Sequence, residues 1–144
     1  MGKLSLFEPE EDFSSTVVIV EDEIDDFELT KVNFKKQNFE NPIFHLEDGA
    51  DLLPFLKCEG KFEQTGLKNP VLIFLDVSTP RLSAEKVLPA LKNEGLEPRI
   101  VLLTNHDEQS LRDMGLGGIA HIQKPLTFDK FYEFIMGSNH FLFT

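Results

Sequence analysis

The chain has 144 residues, the size of one domain; divided in two, neither part would bury enough surface to be stable. Fourteen Lys and Arg against 25 Asp and Glu give a net charge of −11, which argues against a nucleic-acid backbone or an anionic membrane as main partner, since both carry the same sign. Hydrophobic residues make up 41% and charged residues 27%, the balance of a folded soluble domain, and the longest apolar runs, Val17–Val20 and Val71–Leu75, fall far short of the roughly 20 residues that cross a bilayer.

The stretch from Met1 to Asp12 has no apolar core and is not expected to be a signal peptide. The single cysteine, Cys58, excludes an internal disulfide and a cysteine-built zinc site, so a cytosolic domain is expected. Val17-Val18-Ile19-Val20 is β-branched and bounded by Ser14-Ser15 and Glu21-Asp22, which predicts a buried strand. A helix follows from Ile24 to about Asn38, with Phe27, Thr30, Lys31 and Phe34 along one stripe; Leu29 and Val32 lie on its other side. Ile43 to Leu46 is a short strand. Gly49 to about Cys58 is a second helix interrupted by Pro54, and Glu59 to Asn69 is a polar loop. Val71 to Leu75 does not alternate, so both its faces should be covered, as in a parallel sheet between helix layers. Ser83 to Glu94 is a helix with Ser83 as N-cap, Gly95 as C-cap and Pro89 inside. Ile100 to Leu103 is a fourth strand, about Glu108 to Met114 a short helix, Ile119 to Ile122 a weak fifth strand, and Thr127 to about Met136 the last helix. The βαβαβαβαβα order predicts an α/β fold with an open, doubly wound, five-stranded parallel sheet and five helices, whose ligand site lies outside the carboxyl ends of the strands.

That rule singles out the residues just past each strand. Glu21-Asp22-Glu23 ends the first strand, Asp76 the third and Thr104-Asn105-His106 the fourth, while the fifth leads into Lys124-Pro125. Close carboxylates repel one another unless a cation compensates, and a hard, oxygen-liganded Mg²⁺ suits them. Asp76 is then a candidate carboxylate nucleophile that forms an acyl phosphate, with the metal and Lys124 neutralising the transferred charge. The Thr104 hydroxyl could donate to the attached phosphoryl oxygen and so report it. Taken singly, each has a plainer explanation: a helix-start acid, a turn residue, an N-cap hydroxyl, a surface lysine. Four such accidents at four strand ends are a poor explanation of the joint pattern. The four histidines show no metal-ligand spacing, and the glycine-rich turn 115–118 lacks a phosphate-loop pattern.

Over roughly Ser15 to Ser138 the sequence resembles the receiver domain of bacterial two-component response regulators. The segments that carry the resemblance are VVIVEDE (17–23), LIFLDVSTP (72–80), IVLLTNH (100–106) and IQKPL (122–126). The resemblance implies a flavodoxin-like (CheY-like) strand order 2-1-3-4-5 and phosphoryl transfer to Asp76 from a histidine kinase or phosphotransfer protein with Mg²⁺. It implies Asp22 and Asp76 as direct metal ligands, Glu21 acting through water, and the Ser78 backbone carbonyl completing the set. Thr104 and Lys124 then look like the switch hydroxyl and the phosphate-binding lysine, and Lys124–Pro125 like a cis bond. The chain divides accordingly into an N-terminal tail (1–14), a receiver domain (15–138) and an apolar C-terminal tail (139–144) ending in Phe141-Leu142-Phe143. The long loop after the second helix and that tail look most like stand-alone regulators paired with bacterial phytochromes.

Three departures stand out. Ser83-Ala84 replaces the family's Asp-Gly, so the turn before the third helix is made without glycine. His121 occupies the switch-aromatic position and would couple the switch to pH. Pro54 and Pro89 are each expected to kink a helix. No DNA-binding output domain fits after Ser138, so output is expected through protein contacts, without DNA or membrane. Phe134 and the Phe141–Phe143 tail form a predicted apolar patch for a homodimer through the C-terminal face, with burial of the tail in the monomer core as the alternative. The chain is expected to be a phosphoacceptor rather than an enzyme. The competing expectations are a phosphorylation-independent scaffold, supported by Ser83-Ala84 and His121, and an aspartyl phosphatase, disfavoured because Ser78 stands where its general acid would be.

Overall fold

The computed structural model describes residues 15–137. The expected N-terminal tail, Ser138 and the tail 139–144 with Phe141–Phe143 lie outside the described residues. The elements are β1 (Val17–Val20), α1 (Ile24–Lys36), β2 (Ile43–Leu46), α2 (Leu52–Lys57), β3 (Leu72–Asp76), α3 (Ala84–Asn93), β4 (Ile100–Thr104), α4 (Glu108–Asp113), β5 (His121–Gln123) and α5 (Phe128–Gly137), with 3₁₀ turns at Gly49–Asp51 and Gly60–Phe62. All strands are parallel, in the order β2-β1-β3-β4-β5. The chain therefore has the α/β doubly wound, flavodoxin-like fold, with five strands and five α-helices.

Why β1 and β3 do not alternate is now explicit. Val17, Ile19, Leu72 and Phe74 face a cluster with α1 and α5, whereas Val18, Val20, Ile73 and Leu75 face one with α2, α3 and α4. Successive side chains leave opposite faces of a strand, so a sheet covered on both sides takes apolar residues at every position. On the α1/α5 side an aromatic group fills the core. Phe34 meets Phe39, Phe128 and Phe131 at centroid distances of 5.3, 5.4 and 5.1 Å, and Phe131 reaches Phe74 at 5.7 Å. The Thr30 hydroxyl donates to the Leu126 carbonyl at 3.1 Å and the Asn33 side-chain oxygen accepts the Phe128 N–H at 2.6 Å, pinning α1 to the β5–α5 loop. Among the described residues no helix is long and apolar enough to cross a membrane.

Several expectations need correction. Pro54 is the third residue of α2, where an N–H has no intrahelical partner, so the sequence before it forms a 3₁₀ turn and α2 itself is not interrupted. Pro89 does lie inside α3. Glu94 caps α3, and Gly95 follows it in the left-handed region at φ 73°. Cys58 lies just past α2, also left-handed at φ 55°. The fifth strand begins at His121 rather than Ile119. Phe134 is half-buried against the α1/α5 core instead of forming an exposed patch; among the described residues the exposed large apolar side chains are Ile24, Leu29, Val32, Tyr132 and Met136.

Phe34 is fully buried at the centre of the aromatic group. Phe34→Ala is expected to cost about 3–5 kcal/mol in a urea unfolding titration, through lost burial and an unfilled cavity.

Candidate functional site

The functional side chains are delivered by strand ends. β1 runs directly into Glu21 and Asp22, β3 ends on Asp76, β4 ends on Thr104, and β5 is followed after Gln123 by Lys124 and a cis Lys124–Pro125 bond. Because the strands are parallel and in register, with Val20 opposite Leu75 and Asp76 opposite Leu103, these ends share one edge of the sheet. Asp22, Asp76, Ser78, Thr104 and Lys124 line one open crevice of about 340 Å³ together with Glu23, Asn105 and His106. Glu21 sits beneath it, buried, and reaches the same lysine.

Lys124 is the hub. Its ammonium donates to Asp76 Oδ2 at 2.7 Å and lies 3.2 Å from Glu21 Oε1. Asp76 Oδ1 accepts the Ser78 N–H at 3.0 Å. Ligand-type oxygens of Glu21, Asp22 and Asp76 all lie within 4.8 Å of one another. Burial would by itself lower the Lys124 pKa, but the hydrogen bond and charge of Asp76, with the charge of Glu21, outweigh it and raise the value. Desolvation pushes Glu21 up to about 7 and the Asp76 charge adds to the rise, against the Glu23 N–H and Lys124, which favour the ionised form. One ammonium does not neutralise these three carboxylates. An all-oxygen donor set carrying excess negative charge fits a hard divalent cation.

Thr104 is buried and its hydroxyl accepts the His106 N–H at 2.9 Å, which ties the strand end to the following loop. His121 is not part of this group. It is half-buried on β5, with Nδ1 3.4 Å from the Ile119 carbonyl and Nε2 3.7 Å from Glu108 at the start of α4. Sequence reasoning missed His45, whose Nε2–H donates to the Glu21 carbonyl at 2.7 Å while its ring stacks on Phe27 at 4.0 Å. The one available signal was the polar residue in the strand Ile43–Leu46.

No family model matches the chain. The response regulator Rcp1 of Synechocystis sp. is 31% identical over 98 residues, a match spanning 66% of this chain and 65% of Rcp1. The solved bacteriophytochrome response regulator RtBRR superposes with a TM-score of 0.74 at 29% identity, covering 90% of this chain and 80% of that one. The Mn²⁺-bound form of Rcp1 superposes with a TM-score of 0.62 at 23% identity, covering 85% and 90%. The parallel sheet in this order carries an acidic group, a strand-end aspartate, a hydroxyl and a lysine at one edge. The chain's fold is that of the receiver domains of two-component response regulators, and the relatives and structural neighbours it matches are such regulators.

Glu21 supplies a pH signature for the ion-free protein. Its folded pKa of about 7 exceeds the ordinary 4.5, so the fold prefers the protonated acid; that contribution is full below about 4.5 and is lost as pH rises through about 7. The neutral variant Glu21→Gln escapes the loss. With divalent ions chelated, its stability relative to the parent, read from urea titrations, should rise by on the order of 2 kcal/mol between about pH 5.5 and about pH 8.

Proposed function

We propose that Asp76 accepts a phosphoryl group from a histidine kinase or a phosphotransfer protein in the presence of Mg²⁺, and that the chain signals through protein contacts. The observation that carries this reading is a buried carboxylate at the tip of β3, 2.7 Å from a lysine ammonium and within 4.8 Å of two further carboxylates. Asp22, Asp76 and the Ser78 main-chain carbonyl would hold the ion, with Glu21 acting through water. When bound, the ion neutralises charge on the phosphoryl oxygens. Rcp1, whose fold this chain shares, has been solved in a Mn²⁺-bound form.

An Asp76 carboxylate oxygen attacks the phosphorus of the donor's phosphohistidine. The new O–P bond forms as the N–P bond breaks, and the imidazole leaves with the electron pair and takes up a solvent proton. The product is an acyl phosphate on Asp76. Lys124 holds positive charge beside the acceptor throughout. The Thr104 hydroxyl turns to donate to a phosphoryl oxygen, and the His106 N–H it now accepts is released or re-aimed. That change moves the loop after β4 and the face of the last two helices, where a partner or a second copy of the chain binds. The chain is thus a cytoplasmic phosphoacceptor, not an enzyme turning over a separate substrate.

Incubation with radiolabelled acetyl phosphate and Mg²⁺ tests the reading. The parent should acquire label that hydroxylamine releases, and Asp76→Asn should acquire none. Thr104→Val should be labelled yet lose the beryllofluoride-induced shifts of the amide resonances at 105–107. An unlabelled parent would favour the scaffold instead.

A further inference from the structure

The β3–α3 connection, residues 77–83, brings Ser78 to the crevice, and it turns without any left-handed residue. What holds it comes from the turn after β2. Asp48, only 3% exposed, accepts backbone N–H groups from Ala50 at 2.9 Å, Arg81 at 2.8 Å and Leu82 at 3.1 Å. Thr79 is as deeply buried and uses its hydroxyl both ways, donating to the Leu82 carbonyl at 2.7 Å and accepting the Gly49 N–H at 2.9 Å. Gly49 permits this approach, since a Cβ there would run into the Leu82 carbonyl and Val87. Starting the 3₁₀ turn at Gly49 accounts for one of the three bonds to Asp48. The other two cross to a loop more than thirty residues away.

Ser78 is the residue by which that loop lines the crevice. The Ser78 peptide is held on its N-terminal side by the bond from its N–H to Asp76 Oδ1, at 3.0 Å. On its C-terminal side the Ser78 carbonyl is bonded directly to Thr79, whose side chain is fixed to Gly49 and Leu82, and Leu82 in turn to Asp48. We propose that Asp48 and Thr79 are positioning residues for the divalent-ion site: they fix the Ser78 main-chain carbonyl where it can serve as a ligand, without touching the ion themselves. This rests on the reading of the crevice as a divalent-ion site.

The test is Mn²⁺ affinity of the full chain, followed by electron paramagnetic resonance with Mg²⁺ as competitor, well below the unfolding midpoint of every variant. Thr79→Val keeps the side-chain shape and removes the hydroxyl, and should weaken Mn²⁺ binding about tenfold, within the range found when a group supporting a metal ligand is lost. Thr79→Ser restores the hydroxyl and should bind within about twofold of the parent. Asp48→Asn should also lose about tenfold, and decides the matter if Thr79→Val does not fold. A folded Thr79→Val chain that binds as tightly as the parent overturns the proposal, as does Thr79→Ser weakened to the same degree as Thr79→Val. A parent that binds no Mn²⁺ overturns the reading of the crevice itself, a distinct failure seen before any variant is compared.

Discussion

Negative charge gathered at the end of a parallel sheet, with one ammonium to balance it, is the constraint around which the rest is arranged. Glu21 and Asp76 are both buried, and Lys124 reaches both. A buried carboxylate without a partner carries a desolvation cost that ordinary folds avoid by pairing or protonation. Here pairing is incomplete, and the elevated Glu21 pKa records what is left over. A domain maximising stability would exchange one acid for an apolar residue; keeping all three makes sense where a cation is to be held or a charged group transferred.

The surroundings of that charge are correspondingly stiff. His45, stacked on Phe27, holds the Glu21 carbonyl from β2, and Thr30 and Asn33 hold the chain just after Lys124-Pro125 from α1. The Lys124 N–H itself donates to the Thr104 carbonyl, so Lys124 and Thr104 belong to neighbouring positions of one ladder. Thr104 is therefore tied to β5 and the residue after it through the main chain.

Much of this architecture could be read from local pattern. The β-branched run Val17–Val20 and the unbroken run ending at Leu75 announced a sheet covered on both faces, and that alone located the edge where Asp76 and Lys124 meet. What stayed hidden depends on contacts distant in sequence. Phe134 packs against the α1/α5 core, a contact that no helical period encodes. Pro54 looked like an interruption because the 3₁₀ turn before α2 has no signal distinguishing it from helix. Nothing local marks Asp48, since Arg81 and Leu82 lie more than thirty residues further on.

The departure at Ser83-Ala84 gains a physical account from the same contacts. Glycine is required where a turn needs a left-handed residue or where a Cβ cannot fit. Neither condition holds at Ala84: it is fully buried among the side chains of the α2/α3/α4 core, its backbone is helical, and its N–H closes onto the Val77 carbonyl at 3.1 Å. Ser83 is extended, at φ −75° and ψ 162°, a conformation open to any residue. The glycine that this corner does need is Gly49, on the opposite segment, where Leu82 and Val87 press against the backbone. The Ser83-Ala84 pair therefore sits in this corner without left-handed backbone.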